Sequence, residues 1–164
     1  MRLLSLAIVA GLPVAATIAL AQTPEAADAS SATATPDACG FKLSAPAIRE
    51  WVILGGKEGR LGCPTADESA ALPSIQGSAS RETPFGDQGA IFVMVGGPRD
   101  GQAVAIANCY RLFYQYGGAA GWLGLPLQDA LNTPDGQKQP YEGGEMRFGR
   151  ALDSCDATAA SPAP

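Results

Sequence analysis

The chain has 164 residues, with 16 acidic and 11 basic side chains, 20 glycines, 13 prolines, four cysteines and no histidine. Without histidine, Ser-His-Asp and Cys-His relays and His-ligated metals are excluded. The net charge of −5 argues against nucleic acid and anionic lipid as partners. The glycine and proline content is typical of a turn-rich domain of short elements.

The N-terminus predicts export. Residues 1–21 combine Arg2 with a long apolar stretch and end on Ala19-Leu20-Ala21, an A-x-A cleavage pattern. This layout predicts a secretory signal peptide, and a retained membrane anchor is the alternative. We therefore expect a periplasmic or secreted mature chain with no membrane span after cleavage.

Two segments flank the predicted folded region. Residues 22–38 contain no aromatic residue, Leu, Ile or Val, and residues 156–164 are similarly poor in large apolar side chains. Such segments cannot bury enough apolar surface to offset chain entropy. We predict a disordered linker at 22–38, one folded domain at 39–155 and a disordered tail at 156–164.

Two short helices are predicted, over residues 47–54 and 110–116. Each ends at a glycine pair, whose first member can adopt the left-handed conformation of a helix end. Pro46 suits the first turn of the first helix. Leu61 and Leu123 follow in Gly-flanked loops, where we expect them to plug a small core.

The remaining regular structure is predicted to be β. Residues 90–95 and 102–107 are β-prone runs joined by Gly-Gly-Pro-Arg-Asp-Gly, which indicates a hairpin. A shorter hairpin is predicted over residues 138–148. The fold class is therefore α+β, made of short helices, stiff Gly/Pro loops and β-hairpins.

The chain repeats itself at an offset of 62 residues. Residues 51–68 and 113–130 share seven identities in 18 columns, in the order G-G-x-x-G-x-L-G-x-P. The similarity continues downstream, where residues 84–91 parallel residues 140–146. We predict two tandem small repeats that pack together, since one unit alone could not bury its apolar face.

This pattern resembles the LGFP repeat, with one copy at about 48–100 and a second at about 110–150. Cys63 and Leu125 occupy the column that the family fills with Phe. The resemblance implies an exported bacterial protein. In the family, such repeats are often appended to cell-wall enzymes such as mycolyltransferases or amidases. They are thought to attach these enzymes to envelope polysaccharide. The chain has two repeats and no partner catalytic domain, so we expect a role other than anchoring a fused enzyme.

The cysteines predict two disulfides that brace the domain. They are Cys39, Cys63, Cys109 and Cys155, an even number in an exported domain, and no C-x-x-C spacing suggests zinc or thioredoxin-like chemistry. Three pairings are possible, and we favour Cys39–Cys155 with Cys63–Cys109. If the chain were not exported, four buried free thiols would be the alternative.

Acidic residues in the loops are candidates for catalytic groups or metal ligands. Asp67 recurs as Asp129 at the second loop, whereas Glu68 is replaced by Ala130, so an acid pair is not kept between repeats. A recurring loop Asp suits a turn or cap that binds backbone amides. The acids at 142–145 and 87–89 could supply oxygens to calcium, but turns are the favoured interpretation. We therefore expect no enzyme activity, no metal and no cofactor.

The aromatic residues suggest a carbohydrate ligand, because sugar rings stack on exposed aromatic side chains. Trp122 lies in a Gly-rich loop where the first repeat has Arg60, and is more exposed in this prediction than Trp51. The candidate ligand-binding residues are Trp122, Tyr141, Glu142 and Gln139. We predict a non-catalytic module that binds an envelope or extracellular polysaccharide. The alternative is a protein-binding or inhibitory partner of an exported enzyme.

Overall fold

The computed structural model describes residues 37–149 and 154–161. The predicted signal peptide and residues 22–36 of the predicted linker lie outside these ranges. Within these two ranges, none of the helices has the length and apolar character needed to cross a bilayer.

The fold is α+β, as predicted. Helix α1 covers Ala45–Ile53 and is followed by strands β1 (Ser69–Ala70), β2 (Ala79–Pro84), β3 (Ala90–Val95) and β4 (Ala103–Ile106). Helix α2 covers Tyr110–Gln115 and is followed by β5 (Leu131–Thr133), β6 (Gly136–Tyr141), β7 (Gly144–Gly149) and β8 (Cys155–Ala159). Each set of four strands forms an antiparallel sheet in chain order. The predicted hairpins are confirmed as the β3–β4 and β6–β7 pairs, each extended by further strands.

Both helices end at their predicted glycine pairs. Gly55 and Gly117 have φ angles of 98° and 96°, in the left-handed region that other residues avoid. The third glycine of each motif is required for a different reason. A Cβ on Gly59 or Gly121 would lie 2.0 or 1.8 Å from the carbonyl oxygen of the residue that caps the helix. The G-G-x-x-G spacing therefore turns the chain tightly against the helix end.

The first sheet separates two hydrophobic clusters, because successive side chains of a strand point to opposite faces. On one face, Ile91, Val93 and Ala105 pack with Trp51 of α1. On the other face the buried residues of the first sheet meet those of α2, its loop and the second sheet, namely Phe92, Met94, Val104, Phe113, Leu123, Leu125, Tyr141 and Met146. The two halves therefore share a core.

Side chains from the second half also cover the free edge of β4. Asp129 accepts the Ala105 N–H at 2.9 Å, and the Gln139 amide donates to the Ala105 carbonyl at 2.8 Å. In the opposite direction, Arg99 of the first half donates to the Pro126 carbonyl of the second half at 2.5 Å. Edge strands carry unpaired backbone groups that need partners, and here the second half supplies them.

Two disulfides are confirmed, but the favoured pairing was wrong. The bonds join Cys39 to Cys63 and Cys109 to Cys155, with Cα–Cα distances of 5.8 and 5.9 Å. The first bond stays within the first half, since the loop after α1 returns to the segment that precedes the helix. The second bond ties the start of α2 to the start of β8. Neither bond joins Cys63 to the second half.

The C-terminal boundary also differs from the predicted one. Residues 156–159, assigned to the tail, belong to β8 and pair with β7 along its whole length. The segment is poor in large apolar side chains, but the backbone ladder and the Cys155 disulfide hold it on the sheet.

Candidate functional site

Trp122 lies in the loop that follows α2, on a rigid base. The flanking Leu123 and the nearby Leu125 are both fully buried. The Trp122 side chain is half-buried, and its ring lies 5.3 Å from that of Tyr116 at an interplanar angle of 58°. The loop therefore presents a tilted pair of half-exposed aromatic rings above a packed core.

The turn that carries Glu142 lies beside this loop. The Gly143 N–H donates to the Leu123 carbonyl at 2.8 Å, and a Cβ on Gly143 would lie 1.9 Å from the Trp122 carbonyl oxygen. Glu142 Oε2 accepts the Leu125 N–H at 3.1 Å. We call Tyr116, Trp122 and Glu142 the Trp122 surface. The structure thus brings two of the four predicted ligand-binding residues to adjoining loops.

The other two predicted ligand-binding residues are interior. Tyr141 is 2% exposed, and its hydroxyl donates to Gln139 Oε1 at 3.2 Å. Gln139 is fully buried, and its amide donates to the carbonyls of Ala105 and Gln128. Burial raises the pKa of the Tyr141 hydroxyl. A ligand at the surface would not contact either side chain, because both face the core from β6.

The corresponding loop of the first half has a different surface. Arg60 is exposed at the position equivalent to Trp122. Trp51 is 3% exposed, and its indole N–H donates to the Gly62 carbonyl at 2.8 Å. Trp122 is therefore more exposed than Trp51, as the sequence predicts.

The recurring aspartates bind backbone amides. Asp67 accepts the Lys42 N–H at 2.9 Å, and Asp129 accepts the Ala105 N–H at the same distance. Glu68 accepts hydrogen bonds from the Ser44 N–H and hydroxyl and from Arg81. These carboxylates hold the segments that precede the two helices.

Sequence reasoning missed a pair of carboxyl groups between the halves. Glu50 on α1 is 8% exposed, and its Oε1 has no hydrogen-bond partner among the described residues. Burial, together with Asp129, raises the pKa of Glu50 from 4.5 to about 7. An available signal was the lone acid on the apolar face of a helix beside Trp51.

Helix α2 contacts acids of the first half. The hydroxyls of Tyr110 and Tyr114 both donate to Glu82 Oε1 on β2. Burial and this contact raise both tyrosine pKa values, that of Tyr114 to about 12. Arg111 bonds Asp87, and this hydrogen bond lowers the pKa of Asp87.

Two of the three acids proposed for calcium are engaged by cations. Glu145 bonds Arg147 at 2.8 Å and lies 3.4 Å from Lys138. These partners hold the pKa of Glu145 below its usual value, with the Arg147 hydrogen bond the main cause. Asp87 has Arg111 as its partner, and Glu142, the third acid proposed for calcium, accepts the Leu125 N–H.

Comparison with known proteins does not assign the chain to a family. No known protein-family profile matches the chain, and no curated protein matches it. The functional proposal therefore depends on the motif, the loops and the exposed side chains described above.

Proposed function

We propose that the chain is built from two tandem LGFP-like repeats. Equivalent glycines at an offset of 62 have matching φ angles: Gly55 and Gly117, at 98° and 96°, and Gly62 and Gly124, both at 69°. Equivalent backbone bonds also recur, such as Thr65 N–H to Pro84 O and Leu127 N–H to Pro140 O, both 2.9 Å. In each half a helix, a 3₁₀ turn and four strands follow in the same order.

The proposed role is a non-catalytic, exported module that binds envelope or extracellular polysaccharide. The observation that carries the ligand class is the Tyr116–Trp122 ring pair, with Glu142 on the adjoining turn. Half-exposed aromatic rings suit the apolar faces of sugars, and a carboxylate can bond their hydroxyls. The two disulfides are typical of proteins outside the cytoplasm.

The hydrogen bonds of three loop carboxylates support a binding role over hydrolysis by carboxylates. Asp67 and Glu68 are bonded to the backbone or to Arg81. Asp129 accepts the backbone N–H of Ala105. A glycosidase needs two carboxyl groups that face each other across a bond, one of them with a raised pKa.

The test is retention of the purified mature chain on insoluble peptidoglycan and on capsular polysaccharide. We expect Trp122→Ala to weaken retention about three- to tenfold, since a stacking contact contributes roughly 0.5–1.5 kcal/mol. Arg60→Ala is the matched control, because Arg60 occupies the equivalent exposed position of the first loop. It should bind like wild type.

Equal retention of wild type and Trp122→Ala would remove the Trp122 surface from the binding site. Failure of wild type to bind any polysaccharide would overturn the ligand class.

A second candidate function is a protein-binding role, as a partner or inhibitor of an exported enzyme. One observation favours it: α1 exposes Val52 and Ile53, which are 49% and 76% accessible. Exposed apolar side chains that adjoin one another are a feature of protein interaction sites.

A further inference from the structure

The loop between β1 and β2 is longer than its counterpart in the second half. In the second half, β5 and β6 pair as far as Thr133 and Gly136, and the turn between them is residues 134–135. In the first half, residues 71–78 separate β1 from β2. This loop is therefore a feature in which the two halves differ, although the strands around it correspond.

Ser74 fixes the conformation of the longer loop. It is 6% exposed, and its hydroxyl oxygen accepts the N–H groups of Gln76 and Ser78 at 3.2 and 3.1 Å. The Ser74 N–H donates to the Ser78 carbonyl at 2.9 Å. Such bonds between a side chain and the nearby backbone stabilise turns. The loop thus carries the exposed Gln76 on a defined backbone.

Two residues of the first half lie against the Trp122 surface or its loop. The side-chain amide of Gln76 donates to the backbone carbonyl of Glu142 at 2.8 Å. Arg99, in the turn between β3 and β4, donates to the Pro126 carbonyl, and its charge interacts with that of Glu142. The Glu142 turn is therefore held by the first half as well as by the Trp122 loop.

Gln76 and Arg99 also line an open pocket of the first half. The pocket has a volume of about 310 Å³ and is lined by residues 76–79 and 94–99, from the β1–β2 loop and the β3–β4 turn. We call it the Gln76 pocket. Because Gln76 both lines the pocket and bonds the backbone of Glu142, the pocket adjoins the Trp122 surface.

The lining of the Gln76 pocket suits an uncharged ligand that is rich in hydroxyl groups. Arg99 is the one charged side chain among the described residues that line it, and carbonyl oxygens of the second half already accept its N–H groups. Gln76 and Ser78 supply an amide and a hydroxyl. Val95 and Pro98 are exposed and apolar. Polar groups that bond hydroxyls beside apolar surface that covers ring carbons fit a sugar.

We propose that the Trp122 surface and the Gln76 pocket are two subsites of one groove, which binds a polysaccharide along its chain. One sugar stacks on the Trp122 surface, and a neighbouring uncharged stretch of the same chain enters the Gln76 pocket. This groove rests on the proposed polysaccharide-binding function and extends it, because it assigns the ligand to linear chains of several sugar units rather than to a single terminal sugar.

The test blocks the pocket at a glycine. Gly97 lines the pocket, has a φ of +69° and has no neighbour within 4 Å of an added Cβ. Asn tolerates this backbone conformation better than most residues, so Gly97→Asn adds a side chain at the pocket wall without a clash. Gly101→Asn is the matched control. Gly101 has a φ of +73° and equally open surroundings in the same turn, but lies outside the described lining.

The measurement is release of the full mature chain from the insoluble polysaccharide that retains wild type. Soluble disaccharide and hexasaccharide fragments of that polysaccharide are the competitors. For wild type and Gly101→Asn, the hexasaccharide should act at about tenfold lower concentration than the disaccharide, because it occupies both subsites. In Gly97→Asn this advantage should fall about three- to tenfold, whereas release by the disaccharide should match wild type.

A second blocking variant is Gly96→Asn, since Gly96 also lines the pocket at a positive φ with open space around it. It should give the same loss. An unchanged hexasaccharide advantage in both blocking variants, folded as stably as Gly101→Asn, would overturn the groove and leave the Trp122 surface as the site. An equal loss in Gly101→Asn would also contradict it. If no polysaccharide retains wild type, the proposed function fails, and the groove fails with it.

Discussion

The buried carboxyl group of Glu50 on the first helix interacts with the carboxyl group of Asp129 in the second Gly/Pro loop, and both burial and Asp129 raise the pKa of Glu50. Asp129 in turn accepts the N–H of Ala105 on β4. The contact joins a helix of the first half to a loop of the second across the edge of the first sheet. Burial and the nearby Asp129 both favour the protonated form of Glu50, so this interaction depends on pH.

The stability of the domain should therefore fall as pH rises from about 4.5 to about 7. The folded state holds the Glu50 proton up to a pKa of about 7, whereas the unfolded chain releases it near 4.5. Between these values the folded state binds more protons, so the Glu50 contribution is full below pH 4.5 and is lost by about pH 7. We expect this contribution to be about 1–3 kcal/mol.

The check is urea unfolding of wild type and Glu50→Gln between pH 4.5 and 8. The amide keeps a donor at all pH values, so this variant should lose less stability than wild type across the range. Glu58→Gln is the control, because the Glu58 side chain is 85% exposed. A wild-type pH profile that matches that of Glu50→Gln would refute the raised pKa of Glu50.

Alanine substitutions at the glycines of the repeated motif should differ in how much they destabilise the domain. Gly121 has a φ of −78°, which any residue adopts, but an added Cβ would lie 1.8 Å from the Tyr116 carbonyl oxygen. Gly62 has open space around it but a φ of +69°. We expect Gly121→Ala to cost about 3 kcal/mol or more through overpacking, and Gly62→Ala only about 1 kcal/mol through backbone strain.

Denaturant unfolding of the two glycine variants tests this difference. Gly77→Ala is a control for Gly62→Ala, since Gly77 has a φ of +80° and no neighbour within 4 Å of an added Cβ. Equal costs for Gly121→Ala and Gly62→Ala would mean that close packing against the helix end is not the reason for the third glycine.

Once the Cys109–Cys155 disulfide is removed, glycine at position 109 should destabilise the domain less than alanine. Cys109 has a φ of +54°, a conformation that costs L-residues about 1–2 kcal/mol. Both Cys109→Ala/Cys155→Ala and Cys109→Gly/Cys155→Ala lose a bond worth about 2–4 kcal/mol. The glycine variant should retain about 1 kcal/mol more stability in guanidinium unfolding. Equal stabilities of the two double variants would argue against a left-handed residue at this position.

The buried side-chain amide of Gln139 should contribute to the stability of the domain although it carries no charge. It donates to the carbonyls of Ala105 and Gln128, so Gln139→Leu leaves both without this donor. We expect a loss of about 1–3 kcal/mol, measured by thermal unfolding. Gln137→Leu, at a half-buried position of the same strand, is the control and should cost less. A near-neutral Gln139→Leu would show that water can satisfy these carbonyls.

The local elements were predictable because they depend on residues close in sequence. Gly55 and Gly117 mark the helix ends in the sequence, and the structure places both in the left-handed conformation. The β3–β4 hairpin follows from two β-prone runs and a six-residue turn. The burial of Leu61 and Leu123 also follows from the spacing of the glycines around them.

The candidate site was only partly predictable. Trp122 and Glu142 lie on adjoining loops, but Tyr141 and Gln139 face the core from β6. The direction of a strand side chain depends on register, and register depends on which strands pair. The sequence around β6 is polar enough to suit either face.

The sequence by itself determined the α+β class, the helix ends and the number of disulfides, because glycine conformation, apolar patterning and cysteine count are local properties. Only the tertiary structure decided that Cys39 pairs with Cys63, that Cys155 belongs to an eighth strand and that Glu50 meets Asp129. These contacts join residues distant in the chain, and they depend on how the two halves pack around the first sheet. The order of residues along the chain does not specify that packing. It is specified by the core that the two halves share and by the contacts that cover the edge of β4.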